Sequence, residues 1–224
     1  MEQPYDFMVL PFVEIEIRLG TLRKNKFDSC VDRKYFEKIK ETLEMGDWKC
    51  IINKNTVEYI KNNLKLITDI NNEKELKNKK ETGEKEQAKP KTNESKVELI
   101  QKERVKTEDF QISCSPFDIR YSLSQEFSLK SQIKTFDKTD CLIRNKSRKT
   151  FMAEDFKYDL TIVNENNGGI LKTKYEIEIE LLVNKNTLTW KTCYINDFLE
   201  CKIYDLINIV EKIPREKIKI NLTK

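Results

Sequence analysis

At 224 residues, with 42 basic against 38 acidic side chains and a formal charge of +4, the chain can bury a sizeable core but has little long-range field to attract nucleic acid. Histidine is absent, which excludes histidine metal ligands, Ser-His and Cys-His pairs and a histidine general base. Carboxylates, lysines and arginines must therefore carry any chemistry.

The first predicted element is a strand over residues 12–20. Glu14, Glu16 and Arg18 alternate there with Ile15 and Ile17, at the period that sends them to opposite faces. Leu19 and Gly20 break the pattern. Asp28 and Asp32 offer caps for a helix over 33–45, in which Tyr35, Phe36, Ile39 and Leu43 form an apolar stripe ended by Gly46. Residues 56–60 and 64–70 read as two short strands hinged on Lys61, Asn62 and Asn63. From 71 to 95 the apolar side chains give way to Asn, Glu, Lys and Thr. This is the composition of a flexible charged insertion, too polar to offset its ordering entropy. Alternation returns over 96–105 with Val97 and Leu99, then Lys102 and Arg104.

Residues 117–127 make a clean strand, with Asp118, Arg120, Ser122, Ser124 and Glu126 on one face and Ile119, Tyr121 and Leu123 on the other. After an intervening segment over 130–140, a strand over 142–151 aligns Arg144, Lys146, Arg148 and Thr150. Another over 156–163 aligns Lys157, Asp159 and Thr161. The run NENNGG at 164–169 is a turn into a last strand over 175–183, where Glu176, Glu178 and Glu180 share a face with Lys172 and Lys174. A helix over 196–213 carries Phe198, Leu199, Ile203, Leu206, Ile207 and Val210 on one side and stops at Pro214.

A single Glu-x-Glu strand is ordinarily the wet face of an antiparallel sheet. Here several strands put acids, bases and hydroxyls in the same register, which points to a lined interior. The expected fold is mainly β with flanking helices (α+β): a closed eight-stranded antiparallel barrel with a polar lumen, its apolar exterior covered by the two helices, in one domain over 1–224. The six cysteines, at 30, 50, 114, 141, 193 and 201, show no Cys-x-x-Cys pair and read as reduced, mostly buried thiols. With no basic-then-apolar leader and no run of membrane-spanning length, the expectation is a soluble, cytoplasmic, non-secreted protein without a membrane partner.

Glutamates crowded into a partly dehydrated lumen must be neutralised, and carboxylates without His or Cys are hard ligands suited to Mg²⁺ or Mn²⁺. Arg120, Arg144, Lys146 and Arg148 match the charge and fork geometry of phosphate oxygens. Acids facing a basic row suit phosphoryl transfer. No G-x-x-x-x-G-K-[ST] run occurs, so the chain is not a P-loop enzyme.

The ordered set EIEIR, DIRYSLSQE, IRNKSRKTF, FKYDLTIV and YEIEIEL, spanning roughly 12–183, resembles the RNA 5′-triphosphatases of the triphosphate tunnel metalloenzyme superfamily, of the fungal and DNA-virus mRNA-capping type. Length and composition are similar to those of a giant-virus triphosphatase domain. The resemblance implies release of the γ-phosphate from 5′-triphosphate RNA, the first step of capping, with Mg²⁺ or Mn²⁺ as cofactor and nucleoside triphosphates as surrogate substrates. It places the metal ligands at Glu14, Glu16 and Glu180, with Glu178 the next candidate, and the basic motif at Arg144, Lys146 and Arg148. Arg120 follows from the D-x-R-x-S motif. Asp159 and Thr161 orient neighbouring bases, and Glu176 or Glu178 holds the attacking water. Arg18 and a lysine after the D-x-R-x-S strand, Lys130 or Lys134 with Lys134 taken forward, complete the substrate contacts; Lys102 and Arg104 are further candidates for the lumen. No K-x-D-G guanylyltransferase signature occurs in these residues, so two readings stay open: a guanylyltransferase domain in the same natural polypeptide, or that activity residing elsewhere. A tunnel-type tripolyphosphatase or nucleoside triphosphatase, and a non-catalytic phosphate-binding module, are the competing readings.

Overall fold

The structure, a computed structural model, describes residues 13–70, 96–184 and 186–223. The strands are β1 (Val13–Arg23), β2 (Lys26–Asp28), β3 (Cys50–Lys61), β4 (Leu64–Asp69), β5 (Val97–Ile112), β6 (Asp118–Ser128), β7 (Leu142–Met152), β8 (Phe156–Asn167), β9 (Ile170–Leu181) and β10 (Ile220–Leu222). Eight of them close antiparallel in the order β1-β6-β5-β4-β3-β7-β8-β9, β9 pairing back onto β1, while β2 and β10 extend the rim. Closure leaves the ring without free edges, and the alternation seen in the sequence becomes an inside and an outside.

The helices α1 (Arg33–Glu44) and α2 (Thr192–Glu211) lie against the barrel's exterior. Ile15, Ile17 and Leu19 of β1 and Ile177 and Ile179 of β9 are buried with Phe36, Ile39 and Leu43 of α1 and Leu199, Ile203, Leu206 and Ile207 of α2. Each such side chain contributes about 1.5–3 kcal/mol on removal from water, so the core of this protein lies outside the barrel wall. Asp32 caps α1 by accepting from the Lys34 backbone N–H at 2.9 Å.

Several boundaries differ from the sequence reading. Strand β1 continues through Gly20 to Arg23, because the missing Cβ lets β2 cross close by; a Cβ at Gly20 would lie 2.2 Å from the Asp28 carbonyl oxygen. The turn into β2 is Lys24-Asn25, both residues at positive φ (49° and 60°). The run 164–169 is mostly strand: β8 extends to Asn167, and only Gly168 and Gly169, at φ 58° and 88°, form the turn. Strand β5 runs on to Ile112 through an irregularity between Arg104 and Lys106. Helix α2 begins at Thr192, with an extended Lys191 and no side-chain cap, so Asn196 is interior to it. The cysteines are free but none is buried: Cys50, Cys114 and Cys193 are exposed and the others half-buried, since they fall at strand starts, turns and helix edges. The charged segment 71–95 and Phe12 lie outside the described residues. Among those residues, no helix is long and apolar enough to cross a membrane.

Candidate active site

Register assembles the lumen. Glu16 of β1 stands beside Glu180 of β9, and Arg18 beside Glu178. On the other side of β9, Lys157, Asp159 and Thr161 of β8 stand beside Glu180, Glu178 and Glu176. Strand β7 then adds Arg144, Lys146 and Arg148, with Arg148 beside Thr161. A cavity of about 700 Å³ opens among Glu16, Arg18, Lys102, Arg120, Arg144 and Lys146. An apolar groove of about 340 Å³ between α2 and the exterior of β1, β5 and β6 lacks this opposition of acidic and basic rows.

One half of the lumen is forked by arginines. Arg148 donates from Nη1 to Asp159 Oδ2, from Nη2 to Glu178 Oε2 and from Nε to the Thr161 hydroxyl, each at 3.0 Å. Thr150 in turn donates to Asp159, so Asp159 and Thr161 fix the guanidinium plane. Arg18 links Glu16, 3.0 Å from Nη2, to Glu178, 2.8 Å from Nε. Arg144 donates to Glu176 at 2.6 Å and lies 3.1 Å from Glu165 through Nε. The Nε groups of Arg18 and Arg144 are buried and close to carboxylates but not aligned for hydrogen bonds. They are ion contacts, with Glu178 and Glu165 respectively.

Burial alone would push the Glu178 carboxyl up, but Arg18, Arg148 and Lys146 outweigh it and hold the group well below the ordinary carboxylate range. Lys146 lies 3.0 Å from Glu58 of β3. Glu58 is held below its usual value mainly by Lys146, which acts against burial, whereas burial, reinforced by Arg148 and Arg144, takes Lys146 down despite Glu58. The geometry fixes the pairing, and the desolvation of Lys146 is the direction that matters for an ammonium facing an incoming anion.

The other half is held by lysines. Lys102 of β5 bonds Glu14 and lies 3.8 Å from Glu16 and 3.5 Å from Glu126. The Ser124 hydroxyl donates to the same Glu14 oxygen at 3.0 Å. Lys157 pairs with Glu180 at 2.8 Å and lies 3.5 Å from Asp159. Burial, reinforced by Glu178, pushes Glu16 up, and burial drives Glu180 up to about 7, with Lys157 offsetting part of the rise. Among the described residues no three carboxylates converge as a finished metal cage. The donor set nevertheless suits a hard divalent cation: Glu16 and Glu180 stand side by side in register, and Glu14 lies two residues along β1 from Glu16, in a corner whose negative charge the protein leaves incompletely neutralised.

The lumen brings together Glu14, Glu16, Arg18, Arg144, Lys146, Arg148, Asp159, Thr161, Glu176, Glu178 and Glu180. Arg120 reaches the same cavity, braced by Asp109 at 2.7 and 2.9 Å and by the Phe27 ring, 4.8 Å away. Lys134 does not join them. It is exposed on a 3₁₀ turn, Lys130–Thr135, where the chain has left β6 and has no strand to aim the side chain inward. Sequence reasoning missed Glu58, Asp109 and Ser29, whose hydroxyl lies 3.3 Å from Glu176. Glu58 was readable from the Thr56, Glu58, Ile60 alternation. Asp109 was hidden by the β5 irregularity, which shifts the inward phase from Arg104 to Thr107 and Asp109. Asp118, part of the D-x-R motif, ties backbone instead: its carboxylate accepts from Leu22 N–H at 2.7 Å and Ile112 N–H at 3.2 Å.

The chain resembles two solved structures over most of its length. The S. pombe Pct1 RNA triphosphatase superposes with a TM-score of 0.63 at 17% identity, covering 90% of this chain and 88% of that one. The Mimivirus capping enzyme triphosphatase superposes with a TM-score of 0.58 at 17% identity, covering 92% of each. Likeness at this identity shows the tunnel fold. No curated protein sequence matches. The family described as mRNA capping enzyme, beta chain, matches residues 8–197. The chain therefore belongs to the mRNA triphosphatase family, the beta chain of mRNA capping enzymes, and is an RNA 5′-triphosphatase.

Proposed function

We propose that the lumen binds the triphosphate end of nascent RNA and releases its γ-phosphate in a metal-dependent reaction, leaving a 5′-diphosphate for guanylylation. The observation that carries this reading is the opposition of an acidic and a basic row, set by strand register around one cavity. A phosphate chain entering the cavity meets the basic row and supplies anionic oxygens suited to its guanidinium forks.

Glu14, Glu16 and Glu180 would hold Mg²⁺ or Mn²⁺, which when bound supplies Lewis-acid polarisation of a γ-phosphate oxygen. Arg144, Lys146 and Arg148, with Arg18 and Arg120 nearer the opening, receive the phosphate oxygens and absorb charge that grows in the transition state. Asp159 and Thr161 keep Arg148 planar to the substrate. Glu178 stays ionised between two guanidiniums and so accepts hydrogen bonds only, which suits it to orient the attacking water; Glu176, held by Arg144, is the alternative. Nucleoside triphosphates carry the same phosphate chain and serve as surrogates. The free thiols accord with a reducing, cytoplasmic setting, and a guanylyltransferase in the same natural polypeptide would take the product.

The test is γ-phosphate release from 5′-triphosphate RNA with magnesium, with manganese and with chelator, comparing the native chain with Glu16→Ala. Metal-dependent release that the substitution abolishes, with the fold intact by circular dichroism, supports the reading. Release undiminished in chelator sinks the metal assignment, and faster turnover of inorganic tripolyphosphate than of RNA moves the substrate to small triphosphates.

A further inference from the structure

Each expected metal ligand is held by an ammonium group. Lys102 reaches from β5 across β6 to bond Glu14 and approach Glu16 at 3.8 Å, and Lys157 on β8 holds Glu180 at 2.8 Å. The two lysines come from opposite sides of the β9–β1 seam. Together they reach all three carboxylates, Glu16 pairing also with Arg18 at 3.0 Å, and both are mostly withdrawn from water, each side chain 20% exposed. A monovalent ammonium and a divalent cation compete for the same oxygens, and the dication has the larger Coulombic hold in a desolvated corner.

We propose that Lys102 and Lys157 are internal counter-ions of the metal centre: they keep Glu14, Glu16 and Glu180 in place without metal, and a divalent cation binds by displacing them. This rests on the metal assignment above. It explains why carboxylates set side by side by register do not converge: lysine heads stand among them. Displacement leaves Lys102 with only Glu126 and Lys157 with only Asp159, each at 3.5 Å, so both ammonium groups have donor capacity to turn to the phosphate chain. Metal loading and substrate affinity are then coupled through the same two side chains. Lys102 and Lys157 act on the reaction as positioning residues, through the carboxylates they hold and release.

The test is Mn²⁺ affinity, read from loss of the free-ion electron paramagnetic resonance signal, for the native chain, Lys102→Met and Lys157→Met, with circular dichroism and melting in chelator alongside. Methionine keeps the length of the side chain and removes the charge. The variants should bind Mn²⁺ about tenfold tighter or more, the size of an ordinary coupling between mutually exclusive ligands, and gain more melting temperature from Mn²⁺ than the native chain. Structural damage does not tighten a metal site, so the direction separates counter-ion from scaffold. Should Lys102→Met fail to fold, Lys102→Gln carries the same expectation. Native binding with equal or weaker affinity in the variants overturns the counter-ion role and leaves the metal site standing. A native chain that binds no Mn²⁺ overturns both.

Discussion

The arginine-forked half of the lumen and its lysine-held corner each take a glutamate from the same strand, β9. Glu178 and Glu180 are neighbours on the inner face of β9, the first buried and the second half-buried. Glu178 sits between the guanidiniums of Arg18 and Arg148 and is held well below the ordinary range; Glu180 has a single ammonium, Lys157, and burial takes it up to about 7. Burial is the shared cost, and the number and fork geometry of the cations decide its sign. The first half is rigid and already ionised, fit to orient water and phosphate. The second is under-neutralised and exchangeable, fit to take a cation.

Substitutions should separate the halves, and the largest effect is expected in the corner. Glu180→Gln should reduce γ-phosphate release by about a thousandfold, the upper range for loss of one transition-state charge contact, while leaving the metal-free melting temperature at pH 8 unchanged or higher. A marked drop in that melting temperature would mean that the corner is structural after all. In the forked half, Arg148→Met should cost about a hundredfold in turnover. It should also cost about 3 kcal/mol of stability, since Asp159 and Glu178 are left buried without their partner. Urea denaturation would show it, and an activity loss without a stability loss would break the distinction between the two halves.

The two carboxylates should also give opposite pH signatures in chelator. Below the ordinary value of 4.5 both folded and unfolded chains carry a proton at Glu180; between 4.5 and about 7 only the folded chain keeps it. Its contribution is therefore fully present at low pH and lost as pH rises through 7, on the order of 2 kcal/mol in all. Glu178, depressed, contributes above 4.5 and loses that contribution as pH falls. Unfolding free energies measured from pH 2 to 8 should flatten between 4.5 and about 7 in Glu180→Gln and below 4.5 in Glu178→Gln. An unchanged slope in the first variant would show that Glu180 is ionised throughout. The smallest effect belongs to Lys134: it is exposed on its 3₁₀ turn and absent from the lining of the cavity, so Lys134→Ala should change turnover by less than about twofold, as expected for a surface side chain. A larger loss would put the 3₁₀ turn back at the tunnel mouth.

Much of this contrast is legible in the sequence. Strict alternation names the inward residues of β1, β6, β7, β8 and β9, and with them both acidic strands and the basic row. Lys134 is misplaced by such a reading because a lysine following a strand carries no periodic signal to say which way it faces. Asp109 is invisible to it because one extra residue near Val105 reverses the inward phase of β5. Glu58 stands in plain alternation, but a lone glutamate in a short strand gains meaning only from the lysine it meets across the sheet.

What the sequence determined by itself is which face each side chain occupies, since a period of two follows from strand geometry alone. It also determined, through the absence of histidine, that carboxylates and cations do the work. What only the tertiary structure decided is which charge meets which: that Glu178 receives two guanidiniums and Glu180 one ammonium, that Lys102 crosses a strand to reach Glu14, and that Arg120 is braced by Asp109. These pairings depend on register between strands far apart in the chain and on the bulge in β5. In a dehydrated lumen the partner, more than the residue type, sets the charge state and therefore the role.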